Sequence, residues 1–266
     1  MTDAVAQAKQ RLAPIFETDE PLNLDPMIAD PWVISSLLQK SIRRGEIETA
    51  QRAAHTLFTI KGSSIWRRCM VIAFEDIGAG STDALTVTVA AGTDPAWRKQ
   101  CGGDAHVAIT LARILAEAPK DRSADYLICS AKDHPSLSGE RLAIASTGIE
   151  ERLSVVRDRA FTLPHREMAA WYASGVEWGG EKQVGKGDLP ALLNAFTELG
   201  VPTELVAATG IAISRTREPI TLMVPLVWLA ANDGQTVSVC DRPVPPLATA
   251  GGVPLYALDD VAHFQK

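Results

Sequence analysis

The stretch Trp32-Val-Ile34-Ser-Ser-Leu37-Leu38-Gln-Lys40-Ser41-Ile42-Arg43-Arg44-Gly45 decides how the chain is read. Ile34, Leu37, Leu38, Ser41 and Ile42 recur at steps of three and four, which places them on one face of an α-helix, and Gly45 supplies its stop. Glu46 to Phe58 repeats the pattern with Ile47, Ala50, Ala53, Ala54 and Leu57, so the pair reads as a helical hairpin joined at Arg44-Gly45. A third helix follows from a cap at Ser63 or Ser64, with Ile65, Cys69, Ile72 and Ala73 as its stripe and Glu75-Asp76-Ile77-Gly78 as its end. Working outward, Thr82-Asp83 caps a helix through Ala91, although Leu85-Thr-Val-Thr-Val-Ala also alternates like a strand. Further helices are predicted over 104–118 and 123–132.

Before this region lie a short helix, Asp3 to Leu12, and an acidic connector punctuated by Pro14, Pro21, Pro26 and Pro31. Beyond His134-Pro135 the signal thins. Helices are expected over 149–161, 164–173, 189–199, 204–214 and 221–232, with a short strand at Thr236 to Cys240 and a Pro/Gly-rich loop from Arg242 to Pro254. The expected fold is mostly all-α, in three parts: 1–31, 32–133 and 134–266.

Composition agrees with a folded helical protein: 266 residues, 46% apolar, 22% charged and only 6% aromatic. The net charge of −6 excludes a general electrostatic affinity for nucleic acid or anionic membrane. That average conceals a contrast. Residues 1–31 carry two basic against six acidic side chains, whereas Trp32 to Arg68 holds Lys40, Arg43, Arg44, Arg52, Lys61, Arg67 and Arg68 against Glu46 and Glu48. Four scattered cysteines encode neither a zinc ribbon nor a disulfide framework, and the N-terminus lacks the pattern of a secretory signal. The longest apolar run, Thr221 to Ala231, is too short to span a bilayer. A cytoplasmic protein is expected, with no membrane partner, metal or cofactor.

The landmarks Ser35-Ser-Leu-Leu-Gln-Lys40-Ser-Ile-Arg43-Arg44-Gly45, Trp66-Arg67-Arg68-Cys-Met-Val-Ile72-Ala73-Phe-Glu75-Asp76-Ile77-Gly78 and Leu115-Ala-Glu-Ala118-Pro119-Lys120, the last followed by Ala124-Asp-Tyr126, occur in order over about ninety residues. In these residues the chain resembles the helical region that follows the ATPase module in the replication-associated recombination protein A (RarA) family, relatives of clamp-loader subunits. The resemblance implies an oligomerising collar fold and a role in DNA replication or repair beside a AAA+ ATPase. It implies no ATP-driven work here, since only some 34 residues precede the first landmark. Residues after Tyr126 depart from the family pattern.

Lys40, Arg43 and Arg44 fall within about one helical turn, and Arg67-Arg68 can join them from the neighbouring helix. Phosphate binding needs convergent donors of this kind, and with the role the resemblance implies, single-stranded or forked DNA or a replication protein becomes a candidate partner of this surface. The same arginines can instead solvate a helix face or pair with Glu75 and Asp76. Reversing both charges, Arg43→Glu with Arg44→Glu, is expected to weaken nucleic-acid binding and leave the melting temperature nearly unchanged, since exposed charges contribute about 0–1 kcal/mol. Glu75 and Asp76 point about 100° apart on a helix, which favours a salt bridge to Arg43 or Arg68 over a metal site.

Gly180-Glu-Lys-Gln-Val-Gly185-Lys186-Gly187 matches a phosphate-binding loop until its last position, where glycine replaces the hydroxyl residue. No buried strand precedes it, and Asp188 with Pro190 reads as a helix start. The alternative to a non-enzymatic assembly protein is an enzyme, a hydrolase or a nucleotide-utilising one, with Lys182, Lys186, Arg215 and Arg217 around a phosphate. The five histidines stand apart from one another, and the tryptophans read better as packing residues than as base-stacking platforms.

Overall fold

The computed structural model describes residues 2–17, 24–177, 186–233, 248–250 and 253–258. Among them are fourteen α-helices and one two-stranded ribbon, Thr249–Ala250 with Val253–Pro254, so the fold is all-α. The strand expected at Thr236 to Cys240 lies outside the described residues.

The chain forms two compact units, one of residues 7–120 with 240–266, the other of residues 1–6 with 121–239. The first unit therefore ends at Lys120, earlier than the expected 133, and regains the end of the chain. The reason is packing: α8 (Ser123–Asp133) lies against α11 (Leu163–Ser174) and α14 (Met223–Asn232).

In the first unit, α2 (Pro31–Arg44) and α3 (Ile47–Lys61) form the expected hairpin, and α7 (Asp104–Glu117) packs against both. Asp30 caps α2 by accepting from the Trp32 amide, and Gly45 closes it in the left-handed region at φ 72°. The fully buried Ile34, Leu37, Leu38 and Ile42 are the stripe read in the sequence. α4 (Ser64–Ile72) runs into a π-helical turn, Ala73–Ile77, that stops at Gly78, φ 50°. α5 (Thr82–Thr93) buries eight consecutive residues, 84–91, which explains its strand-like alternation. Its threonines remain compatible with a buried helix because Thr86 and Thr88 donate to the carbonyls of Thr82 and Ala84 one turn back. The short α6 (Pro95–Gln100) has no counterpart in the periodicity reading, being too brief to show a period; Asp94 caps it.

α1 (Thr2–Glu17) passes through Pro14, where a connector was expected. Pro14 sits in the last turn, and the fully buried Phe16 beyond it meets Trp97 edge to face at 5.3 Å, a contact that offsets the lost backbone hydrogen bond.

The second unit centres on α11, which packs against α8, α9 (Ser138–Ser146), α10 (Ile149–Arg157), α12 (Leu189–Glu198) and α14. α12 begins at Asp188, whose carboxylate accepts from the Ala191 amide as predicted. α13 (Thr203–Thr216) packs on α12 and α14. Arginines terminate several of these helices from within. Arg141 donates to the carbonyls of Ala131 and His134 at the end of α8, Arg152 to those of Ile144 and Ala145 in α9 and Tyr172 in α11, and Arg166 to that of Val156 in α10. A guanidinium there satisfies carbonyls that a helix end leaves unpaired and opposes the negative end of the helix dipole.

Candidate functional site

Of the basic residues singled out in the sequence, Arg43 and Arg68 are joined through Gln39 and Asp76 in the first unit. Asp76, its side chain wholly buried, accepts from Arg43 Nε at 2.6 Å through Oδ1 and from Gln39 Nε2 at 3.0 Å through Oδ2. Arg43 also reaches Glu75 Oε1 through Nη2 at 3.1 Å. Arg68 Nη2 donates to Gln39 Oε1 at 2.6 Å and to the Ser35 carbonyl at 3.4 Å. Gln39 thus relays between an arginine and a carboxylate, its amide oriented by both.

The neighbouring carboxylates converge on one guanidinium because that group is long, planar and forked, and because they stand on a π turn. Among the described residues no cluster of side chains could hold a metal ion. Lys120 completes this end of the unit. Its ammonium donates to the carbonyls of Leu115, Ala116 and Ala118, tying off the end of α7, and burial lowers its pKa against an opposing pull from Asp76. The Gly45 turn lies here too: a Cβ at Gly45 would stand 3.5 Å from the Ala116 carbonyl oxygen.

Lys40 and Arg44 lie on the same helix beside this network and face a different neighbour. Lys40 Nζ donates to the Tyr256 carbonyl at 2.8 Å, and the Arg44 guanidinium stands 4.6 Å from the centre of the Tyr256 ring. Arg44 Nε also pairs with Glu46 Oε1 at 2.5 Å, and the Tyr256 hydroxyl donates to the other oxygen of Glu46. Burial raises the Tyr256 pKa, with Glu46 adding to the rise, so the phenol stays protonated and remains a donor. Arg67 is exposed on α4.

These positions correct one expectation. Arg43 is no freely exposed charge, since its Nε is committed to a buried carboxylate; reversing it would set a glutamate against Glu75 and Asp76 and cost stability. Gln39 and Tyr256 were not singled out in the sequence. Gln39 could have been, because it shares a face with Ser35 and Ile42 and is therefore a polar residue on the buried stripe. Tyr256 gave no signal beyond being one of three tyrosines, in a loop of glycines and prolines.

No family model, curated protein or solved structure matches this chain. The site must be argued from its own residues.

Of the residues grouped for the enzymatic alternative, Lys182 lies outside the described part, as do residues 180–185 of the phosphate-loop-like stretch. Lys186 is exposed before α12, and Arg215 and Arg217 are exposed at the end of α13, where Arg217 adopts a left-handed φ of 60° as a cap. Cys69 is fully buried, which pushes its thiol up to about 12 and makes it a poor nucleophile near neutrality. Trp66 packs under Arg98, whose guanidinium is 4.5 Å from the ring centre, and Trp171 donates to the Val176 carbonyl; both are core residues. Among the described residues no helix is long and apolar enough to cross a membrane.

Proposed function

We propose that the chain is a non-enzymatic accessory protein of DNA replication or repair, in which the first unit is a RarA-like collar that self-associates and presents a basic helix-hairpin surface to single-stranded or forked DNA, or to a AAA+ replication partner. One observation carries this reading: the residues that create the resemblance build a single polar network. Gln39 and Arg43 come from the first landmark, Arg68, Glu75 and Asp76 from the second, and Lys120, drawn electrostatically by Asp76, from the third. Asp76 is held directly by Gln39 and Arg43, which in turn engage Arg68 and Glu75; such a network specifies a fold, and fold is the property the resemblance implies most directly.

Self-association and DNA binding are tested together by sedimentation velocity and by fluorescence anisotropy with labelled single-stranded and forked DNA across a salt series. The expected result is a concentration-dependent oligomer whose affinity for DNA falls steeply with salt. A strict monomer with no salt-sensitive DNA binding would overturn the proposal.

A further inference from the structure

The α2–α3 hairpin has a closed end at Gly45 and an open end where α2 begins and α3 finishes. The two helices run antiparallel from that tight turn, so Trp32, the second residue of α2, stands level with Ile60, the last but one of α3. The segment leading into α2 joins them. The Met27 amide donates to Thr56 Oγ1 at 2.9 Å, about one helical turn short of Ile60, which places Ile28 at this same end.

All three are large apolar side chains turned to water: Ile28 is 102% exposed, Trp32 61% and Ile60 43%. Trp66, Trp97 and Trp171 are buried by contrast. A single exposed apolar residue is ordinary, but three gathered at one end, a tryptophan among them, have the composition of the centre of a protein interface.

The polar residues about this centre carry both signs. Asp25 and Asp30 are exposed on the leading segment, and Arg52 and Lys61 are exposed on α3. Aliphatic side chains offer a base no ring to stack on, and a rim of mixed charge repels a polyanion as well as attracting it, so this end suits nucleic acid poorly. It suits a second copy of itself. In a two-fold interface one patch meets the same patch, and a patch with an apolar centre, acids on one segment and bases on another can set each sign against its opposite.

We infer that the open end of the hairpin is the surface through which two copies of this chain pair, with Trp32 at its centre and the acids of one copy facing the bases of the other. The inference rests on the reading of the first unit as self-associating, and it names the surface.

The test is sedimentation velocity of the full chain over a wide range of concentrations. Ile28→Gln, Trp32→Gln and Ile60→Gln change exposed positions, so the far-ultraviolet circular dichroism of each should match the parent. Trp32→Gln is expected to raise the dimer dissociation constant about thirtyfold, and the triple variant to abolish pairing. Ile28→Gln lies in no helix and keeps the test open should Trp32→Gln disturb α2; it should weaken pairing about tenfold. Arg52→Glu should weaken it about fivefold, and adding Asp25→Lys, which exchanges the two signs, should restore it. A strictly monomeric parent would overturn the self-association reading and this surface together. A parent that pairs no better than the triple variant, or an Arg52→Glu loss that Asp25→Lys leaves unrepaired, would overturn the surface alone. So would a triple variant that pairs normally and instead loses binding to single-stranded DNA, which would assign this end to nucleic acid.

Discussion

Asp76 in the first unit and Glu167 in the second are both completely removed from solvent, and the two units treat them in opposite ways. Asp76 receives donors from Arg43 and Gln39. Glu167, on the central helix α11, has neither oxygen hydrogen-bonded, and burial alone drives its pKa well above the ordinary carboxylate range. Thr209 on α13 and Arg166 Nη2 are likewise buried and unpartnered in that unit. Its Arg141, Arg152 and Arg166 go instead to helix ends. A buried carboxylate surrounded by donors holds several elements in one register, whereas a buried carboxyl without donors penalises the fold whenever it ionises.

The largest effect should come from breaking the satisfied site. Asp76→Ala leaves Arg43 and Gln39 facing a void, and a loss of about 3–5 kcal/mol in urea denaturation is expected, from the cost of removing one partner of a buried ion pair. A loss under about 1 kcal/mol would show that Arg43 finds Glu75 an equal substitute, erasing the contrast.

Relieving the unsatisfied site should have the opposite sign. Glu167→Met keeps the side chain's bulk, discards its unpaired oxygens and is expected to stabilise the protein by about 1–3 kcal/mol at pH 7, measured as a rise in midpoint. A destabilised Glu167→Met variant would mean that the carboxyl has a partner in solution.

The same residue sets a pH dependence. Its folded pKa is above its unfolded one, so in the interval between them the native state binds more protons and stability falls as pH rises. The fall begins near the unfolded value of about 4.3 and has a slope approaching 1.4 kcal/mol per pH unit until the folded carboxyl ionises. Comparing parent and Glu167→Gln isolates this contribution, because the amide cannot titrate; parallel pH profiles for the two would refute the assignment.

The smallest effect marks the floor of the comparison. Arg157 and Glu198 pair at 2.8 Å on the surface of the second unit, 38% and 59% exposed, and Arg157→Ala should change stability by less than about 1 kcal/mol in the same titration.

How much of this was legible in the sequence depended on what each residue interacts with. The α2–α3 hairpin, the Gly45 stop and the Asp188 cap were readable because periodicity and capping are local, and each interaction spans a few residues. The pairing of Arg43 with Glu75 and Asp76 was foreseen as one of two fates for the basic cluster, since charge type narrows the partners even across more than thirty residues. The Gln39 relay, the unpartnered Glu167 and the hold of Tyr256 on Lys40 were not readable. Each is decided by which side chains tertiary packing brings together, and the last of these joins residues 216 positions apart. The division after Lys120 was missed for a related reason, because α8 looks locally like the helices before it and is assigned only by its packing on α11 and α14.

That long separation also gives the contact between Lys40 and Tyr256 a history in time. A ribosome makes α2 early and Tyr256 late, with residues 121–239 between them, an interval of roughly 10–40 s at ordinary elongation rates. During synthesis the Lys40 and Arg44 side chains therefore spend that interval without the tyrosine they meet in the folded unit.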